Sequence, residues 1–253
     1  MLIAALAISS CGAPARTETT SAATPLKYKW SCVPMDSTWD EIKNPAATLA
    51  IGKYAPMMAP LQEIIAYTDE EYEKGYPESG LSNFAADIIR EAAEEWTGES
   101  VDLALTNFGG IRTSLPKGAV RVYDILSIFP FENRIVVFDI KGDDLYAFFK
   151  RMASRRVEAL SNIRLKVDAQ GQITFFHIGS QPIDPDRIYR FATIDFLFDG
   201  GDSIDLKQAA SNVRYSNILI RDAVETRIRR MGLNNEIISL HEDGRVKIEG
   251  RKR

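Results

Sequence analysis

Between Leu81 and Trp96 the apolar residues Leu81, Phe84, Ala85, Ile88, Ile89, Ala92 and Ala93 recur at helical spacing, opposite Asp87, Arg90, Glu91, Glu94 and Glu95. This is an amphipathic helix, with Ser79 or Ser82 as its candidate cap and Gly98 marking its end. Directly afterwards the period changes. Val101-Asp102-Leu103-Ala104-Leu105 reads as a buried strand that runs into the turn Asn107-Phe108-Gly109-Gly110-Ile111-Arg112. A helix with one face to cover, followed at once by a buried strand, restricts the chain to helices layered on a sheet.

The same signals continue along the chain. Strands are expected at Arg134 to Ile140, Ile163 to Val167, Gln172 to His177 and Arg190 to Ile194, and helices at Asp143 to Met152 and Asn217 to Met231. Two short apolar runs, Ala50-Ile51-Gly52 and Ile64-Ile65-Ala66-Tyr67, read as strands or buried turns. The segments 163–167 and 172–177 are joined by Asp168-Ala169-Gln170-Gly171, a hairpin link that implies antiparallel pairing. The expectation is a mixed α/β domain of the α+β type, a mixed sheet with packed helices, over residues 45–253.

The N-terminus reads as processing signal and tether. Residues 2–8 are an apolar run far shorter than the roughly 20 residues that span a bilayer, and Ile8-Ser9-Ser10-Cys11 follows, before a Ser/Thr/Ala-rich stretch to Thr24. This resembles the lipobox of bacterial lipoproteins, which implies a signal peptide over 1–10, lipidation of Cys11, a tether and irregular segment over 11–44, and residence in the bacterial cell envelope, periplasmic or outer-surface. The pattern lacks an opening positive charge, since no Lys or Arg precedes Arg16. The alternative for Cys11 is a bridge to Cys32, the other cysteine of the chain.

Composition removes whole classes of function. A formal charge of −4 and a pI near 5.4 provide no global basic field, which argues against binding a nucleic acid polymer. Two histidines, His177 and His241, with no cysteine cluster, are too few for a multi-histidine metal site. His177 lies in an expected strand and reads as structural; His241, beside Glu242 and Asp243, reads as surface.

Three loops carry residue types suited to a nucleotide. In the first, Gly109 and Gly110 allow close backbone approach, and Arg112 offers a planar fork of donors for a phosphate or carboxylate. The second, Phe129-Pro130-Phe131-Glu132-Asn133-Arg134, presents aromatic rings; Phe129 reads as a core plug and Phe131 as a face for a base, a contact worth about 1–3 kcal/mol per stacked base. The third, Asp195-Phe196-Leu197-Phe198-Asp199-Gly200-Gly201-Asp202, again runs strand then Gly-Gly and closes on a carboxylate able to accept from paired sugar hydroxyls.

The order of these loops, after the helix start Glu78-Ser79-Gly80-Leu81-Ser82-Asn83-Phe84-Ala85-Ala86-Asp87, resembles the C-terminal domain of the 5′-nucleotidase and UDP-sugar hydrolase family over roughly residues 60–230. The resemblance implies that Phe131 and Phe196 sandwich the base, that Asn107 and Asn133 lie at its edge, that Gly109 and Gly110 let the loop approach the ligand, that Arg112 reaches the phosphate or the catalytic centre, and that Asp202 accepts from the ribose. Many members also place an arginine just before the helix, where this chain has Tyr76-Pro77; the nearest basic residue is Lys74.

Hydrolysis in that family belongs to a metallophosphoesterase domain with two divalent metals held by D-x-H, G-D-x-x, G-N-H-[DE] and G-H-x-H type motifs, of which none of the histidine-bearing ones occurs here. The resemblance therefore implies the recognition half of a 5′-nucleotidase-type hydrolase of nucleotide catabolism: no cofactor or metal in this chain, a nucleotide or nucleoside ligand, and a separate metallophosphoesterase chain as partner. A stand-alone nucleotide-binding lipoprotein and a degenerate interaction domain are the alternatives.

Overall fold

The computed structural model describes Leu49 and residues 52–250; the expectations for the signal peptide, Cys11, the tether and Cys32 lie outside the described residues. After short helical turns over 55–62, the elements are β1 (Ile64–Thr68), α1 (Gly80–Thr97), β2 (Leu103–Thr106), β3 (Gly118–Arg121), α2 (Val122–Ile128), β4 (Arg134–Lys141) and α3 (Gly142–Ala153). There follow β5 (Ala159–Ser161), β6 (Ile163–Val167), β7 (Ile173–Ile178), β8 (Gln181–Pro182), β9 (Ile188–Ile194), α4 (Asp195–Phe198), β10 (Ala210–Leu219), α5 (Ile220–Leu233), β11 (Ile237–Ile238) and β12 (Val246–Ile248).

A five-stranded sheet, β10-β4-β9-β2-β5, forms the centre. Its β2–β9 pair is parallel and the other three pairs are antiparallel, so the sheet is mixed, as the sequence implies. β2 is buried along its whole length, which explains its unbroken apolar run. Two further sheets have three strands (β11-β1-β3) and four strands (β12-β6-β7-β8), and the hairpin expected between β6 and β7 is present. There Asp168 Oδ1 accepts from the backbone N–H groups of Gln170 and Gln172, and Gly171 takes a φ of 80°.

Helix α1 is fixed at both ends. Ser79, rather than Ser82, is the cap: Ser79 Oγ accepts from the Ser82 N–H, and Ser82 Oγ accepts from the Ser79 N–H, a reciprocal capping box. Gly98 closes the helix at a φ of 69°, left-handed backbone that glycine adopts without strain.

The polar residues of its first turns bind distant chain. Asn83 Nδ2 donates to His241 O at 3.4 Å as well as to the nearby Glu78 Oε2 at 3.0 Å, and Asp87 receives both Nη1 (2.8 Å) and Nη2 (3.0 Å) of Arg245 together with the Ser161 hydroxyl (2.6 Å). Arg245 also donates to Leu160 O and to Asp243, so its buried guanidinium is surrounded by acceptors. Much of the helix-start motif therefore serves to lock α1 onto β5 and the 241–245 segment.

Three expectations are corrected. The helix expected from Asn217 starts at Ile220, because residues up to Leu219 belong to β10 and pair with β4 (Leu219↔Arg134). The strand expected from Val101 starts at Leu103. The third loop is not open chain directly after its strand: Asp195–Phe198 make the helical turn α4. β10 itself gives little apolar signal, being an edge strand with most residues exposed or half-exposed.

Candidate functional site

The loop after β2 is built around one buried amide. Asn107 is only 4% exposed, and its Nδ2 donates to Asp202 Oδ2 at 2.5 Å, which joins the first loop to the third. That bond turns Oδ1 the other way, where it is buried and has no partner. A buried acceptor without a donor costs about 1–3 kcal/mol, and here it marks a position that a ligand donor would satisfy. The glycines are what make room for this amide. A Cβ on Gly110 would stand 2.8 Å from Asn107 Oδ1, and one on Gly109 would stand 3.3 Å from Asn107 Nδ2.

Gly110, which the amide lies against, lines one small hollow together with Phe131, Asn133, Thr106 and Phe129. Phe129 is a core residue, 3% exposed, whereas Phe131 is 47% exposed; the two rings of the second loop thus divide the work of packing and presenting a face. The Arg112 guanidinium lies 5.9 Å from the Phe131 ring centre, and its Nη1 donates to Gly109 O at 3.2 Å. Phe196 is 44% exposed on α4, and a Cβ on Gly201 would stand 2.6 Å from its ring, so glycine there lets the ring lie flat on the loop that ends in Asp202. Asp202 and Ser203 take left-handed φ values of 53° and 59°, a conformation uncommon outside glycine and concentrated at ligand-binding loops. All eight residues singled out in the sequence thus stand on one connected set of loops.

On the Asp202 side of the Gly loop lies a cleft of about 650 Å³. Arg151, Arg155 and Arg156, from the end of α3 and the turn beyond it, line it together with Glu158, Asp202 and Asp205. The Arg156 guanidinium sits over the rings of Tyr76 (5.5 Å) and Phe108 (5.1 Å) and 3.7 Å from Glu158. Glu158 accepts the Phe108 N–H at 2.8 Å. Burial pushes its carboxyl above the usual carboxylate range, and Asp202 adds to this, against the lowering effect of the Phe108 N–H and Arg156.

Of the cleft residues the sequence points to Gly109 and Asp202; the three arginines and Glu158 lie on a helix end and an irregular link with no glycine or aromatic signal. Lys74 is committed to structure: its Nζ donates to the carbonyls of Phe108 (3.2 Å) and Ile111 (2.5 Å) and holds the Gly loop in place. His177 stacks on Phe175, with ring centres 4.0 Å apart, and His241 is exposed.

A dimetal centre does not fit these residues. Among the described residues no group of three or more His, Cys, Asp or Glu side chains could hold a metal ion.

The fold thus defines a mixed-sheet α/β domain with a small glycine-lined, aromatic-edged hollow at the ends of β2 and β9. Its relatives specify the kind. The family described as "5′-nucleotidase, C-terminal domain" matches residues 63–209. Protein UshA of Yersinia enterocolitica is 32% identical over 106 residues, 40% of this chain and 19% of that protein. The trifunctional nucleotide phosphoesterase protein YfkN of Bacillus subtilis is 25% identical over 249 residues, 87% of this chain and 16% of that protein. A 5′-nucleotidase precursor from Thermus thermophilus shares the fold, with a TM-score of 0.71 at 23% identity over 82% of this chain and 43% of that one.

The chain belongs to the 5′-nucleotidase C-terminal domain family. Its match to each of these two sequence relatives covers less than a fifth of the relative's length.

Proposed function

We propose that this domain binds a nucleoside or nucleotide and presents it to a dimetal metallophosphoesterase carried on a separate chain, as the recognition half of a 5′-nucleotidase-type hydrolase. The observation that supports this most directly is the orphaned Oδ1 of Asn107, fixed as an acceptor by the Asp202 bond amid loops that bear Phe131, Asn133 and Arg112. In this reading the base lies between Phe131 and Phe196 with Asn107 and Asn133 at its edge, the ribose hydroxyls donate to Asp202, and Arg112 swings from Gly109 O to the phosphate. The aromatic faces supply affinity and the fixed amides supply orientation.

What this chain contributes is binding and positioning; the partner's metals would supply activation of water and a clamp on the transferring phosphoryl oxygens. Family membership and the names of the relatives, a trifunctional nucleotide phosphoesterase among them, favour this reading over a bare scaffold. Anchoring at Cys11 in a bacterial envelope completes the proposal and rests on the Ile8-Ser9-Ser10-Cys11 pattern.

The test is calorimetric titration of the full chain with nucleosides and nucleotides, beside hydrolysis assays with and without an added metallophosphoesterase and manganese or zinc. Binding by the chain alone, with turnover only in the mixture, is expected. Robust metal-dependent hydrolysis by this chain alone would overturn the division of labour, and absence of all nucleoside and nucleotide binding would overturn the recognition role.

A further inference from the structure

We infer that the arginine-walled cleft beside Asp202 is a second anion subsite, which receives a phosphoryl group carried on the 2′- or 3′-oxygen of the bound nucleoside. The inference rests on the proposed seating of the ribose at Asp202, and the geometry sets the direction. The Gly loop separates two hollows: Gly110 faces the one with Phe131 and Asn133, and Gly109 faces the cleft together with Asp202. A nucleoside with its base at Phe131 and its hydroxyl pair at Asp202 turns the 2′,3′ edge of the sugar towards the cleft. The 5′-carbon, carried on C4′, leaves from the opposite face of the ring, so a substituent on the hydroxyl pair is the one that enters this space.

The cleft is equipped for such a group. The side chains of Arg151 and Arg155 are exposed and make no hydrogen bond, ion pair or ring contact among the described residues. Arg156 is seated over the Tyr76 and Phe108 rings with its Nε 3.7 Å from Glu158, a positioned donor rather than a free-swinging one. Two uncommitted guanidinium groups beside a positioned third match the oxygens of a phosphate monoester, by bidentate contacts of the kind arginine favours. The carboxylates that share the cleft shape the selection. Asp202 repels a lone anion and accepts hydroxyl donors, so the cleft favours a phosphoryl group attached to a sugar over a simple anion. At about 650 Å³ there is room for more than one phosphoryl group.

The test uses the full chain, with adenosine and uridine, their 3′-monophosphates and their 5′-monophosphates, titrated into wild type and the double variant R151A/R155A. Wild type should bind the 3′-monophosphate about tenfold or more tighter than the nucleoside, the effect of one or two charge-assisted hydrogen bonds. In R151A/R155A that increment should disappear while nucleoside affinity stays unchanged, which also reports an intact fold. The 5′-monophosphate increment should be insensitive to the double variant. Nucleoside binding with no 3′-phosphate increment, or an increment that survives in the double variant, overturns this inference and leaves the recognition role standing. If no nucleoside or nucleotide binds, the recognition role fails and the inference fails with it.

Discussion

Replacing Asp87 with alanine should cost the domain about 3 kcal/mol. Arg245 is 11% exposed at its side chain and faces Asp87, Asp243 and Leu160 O; the substitution removes two of its charge-assisted hydrogen bonds, at 2.8 and 3.0 Å, and the acceptor of the Ser161 hydroxyl. Removing one partner of a buried pair typically costs about 3–5 kcal/mol, because the other charge stays desolvated. Asp87 is itself 33% exposed, and Asp243 continues to pair with Arg245, so the low end applies. In a chain of this size each 1 kcal/mol shifts the melting temperature by about 2–4 °C, so the midpoint should fall by roughly 6–12 °C.

Urea denaturation with a common m value provides the free energy, and repeating it in 0.5 M salt separates a buried pair, little screened, from a surface one. The double variant D87A/R245M should lose less than the sum of its single variants, since it leaves no unpaired charge. A loss under about 1 kcal/mol for Asp87→Ala, or simple additivity in the cycle, would refute the view that this pair ties α1 to the C-terminal segment.

Gly142→Ala would drive a Cβ to 1.9 Å from the backbone oxygen of Asp184; thermal denaturation should show a loss of about 3 kcal/mol or more, since backbone rather than a flexible side chain must yield. Gly110→Ala should displace the Asn107 amide, only 2.8 Å from the new Cβ, and weaken nucleoside binding in calorimetry about tenfold or more with a smaller effect on stability. Glu158 has its carboxyl raised by burial, so the stability it contributes is fully present below its unfolded value near pH 4.3 and is lost as pH rises through the native one; Glu158→Gln should flatten the stability profile across that interval. Burial acts upward on Asp243, but the hydrogen bonds and charge of Arg245 outweigh it and hold the carboxyl low. Its contribution is therefore present above about pH 4 and lost as pH falls through the native value, and Asp243→Asn should blunt acid unfolding measured by circular dichroism.

The elements that the sequence announced are those whose physics is local. The stripe of α1, its serine box and its terminal glycine act within a few residues, and the continuous apolar run of β2 follows from burial on both faces. β10 was not legible because an edge strand needs no inward apolar row, and its polar residues mask the pairing with β4. At the site, the glycines and aromatics stand out because close approach and ring exposure demand particular residue types. The Asn107–Asp202 bond spans 95 positions, and Arg156 reaches Phe108 from beyond α3; such meetings are made by topology, and composition carries no trace of them. The same holds for Asp87, which reads as one more solvated carboxylate on a helix until Arg245 arrives from 158 positions away.

The C-terminal strands have a consequence for how this domain comes into being. β11 pairs in parallel with β1, and β12 in parallel with β6, so residues 237–248 are woven beside strands made much earlier in synthesis. Residues 63–209 carry the family likeness, yet β10, β11 and β12 all lie beyond them. Pairings of such long sequence separation close late. On the ribosome, the loops of the candidate site therefore emerge well before the scaffold that holds them is complete. A nascent chain arrested before residue 245 should remain open to protease along α1, and release of the last strands should convert it, in one cooperative step, to the resistant form.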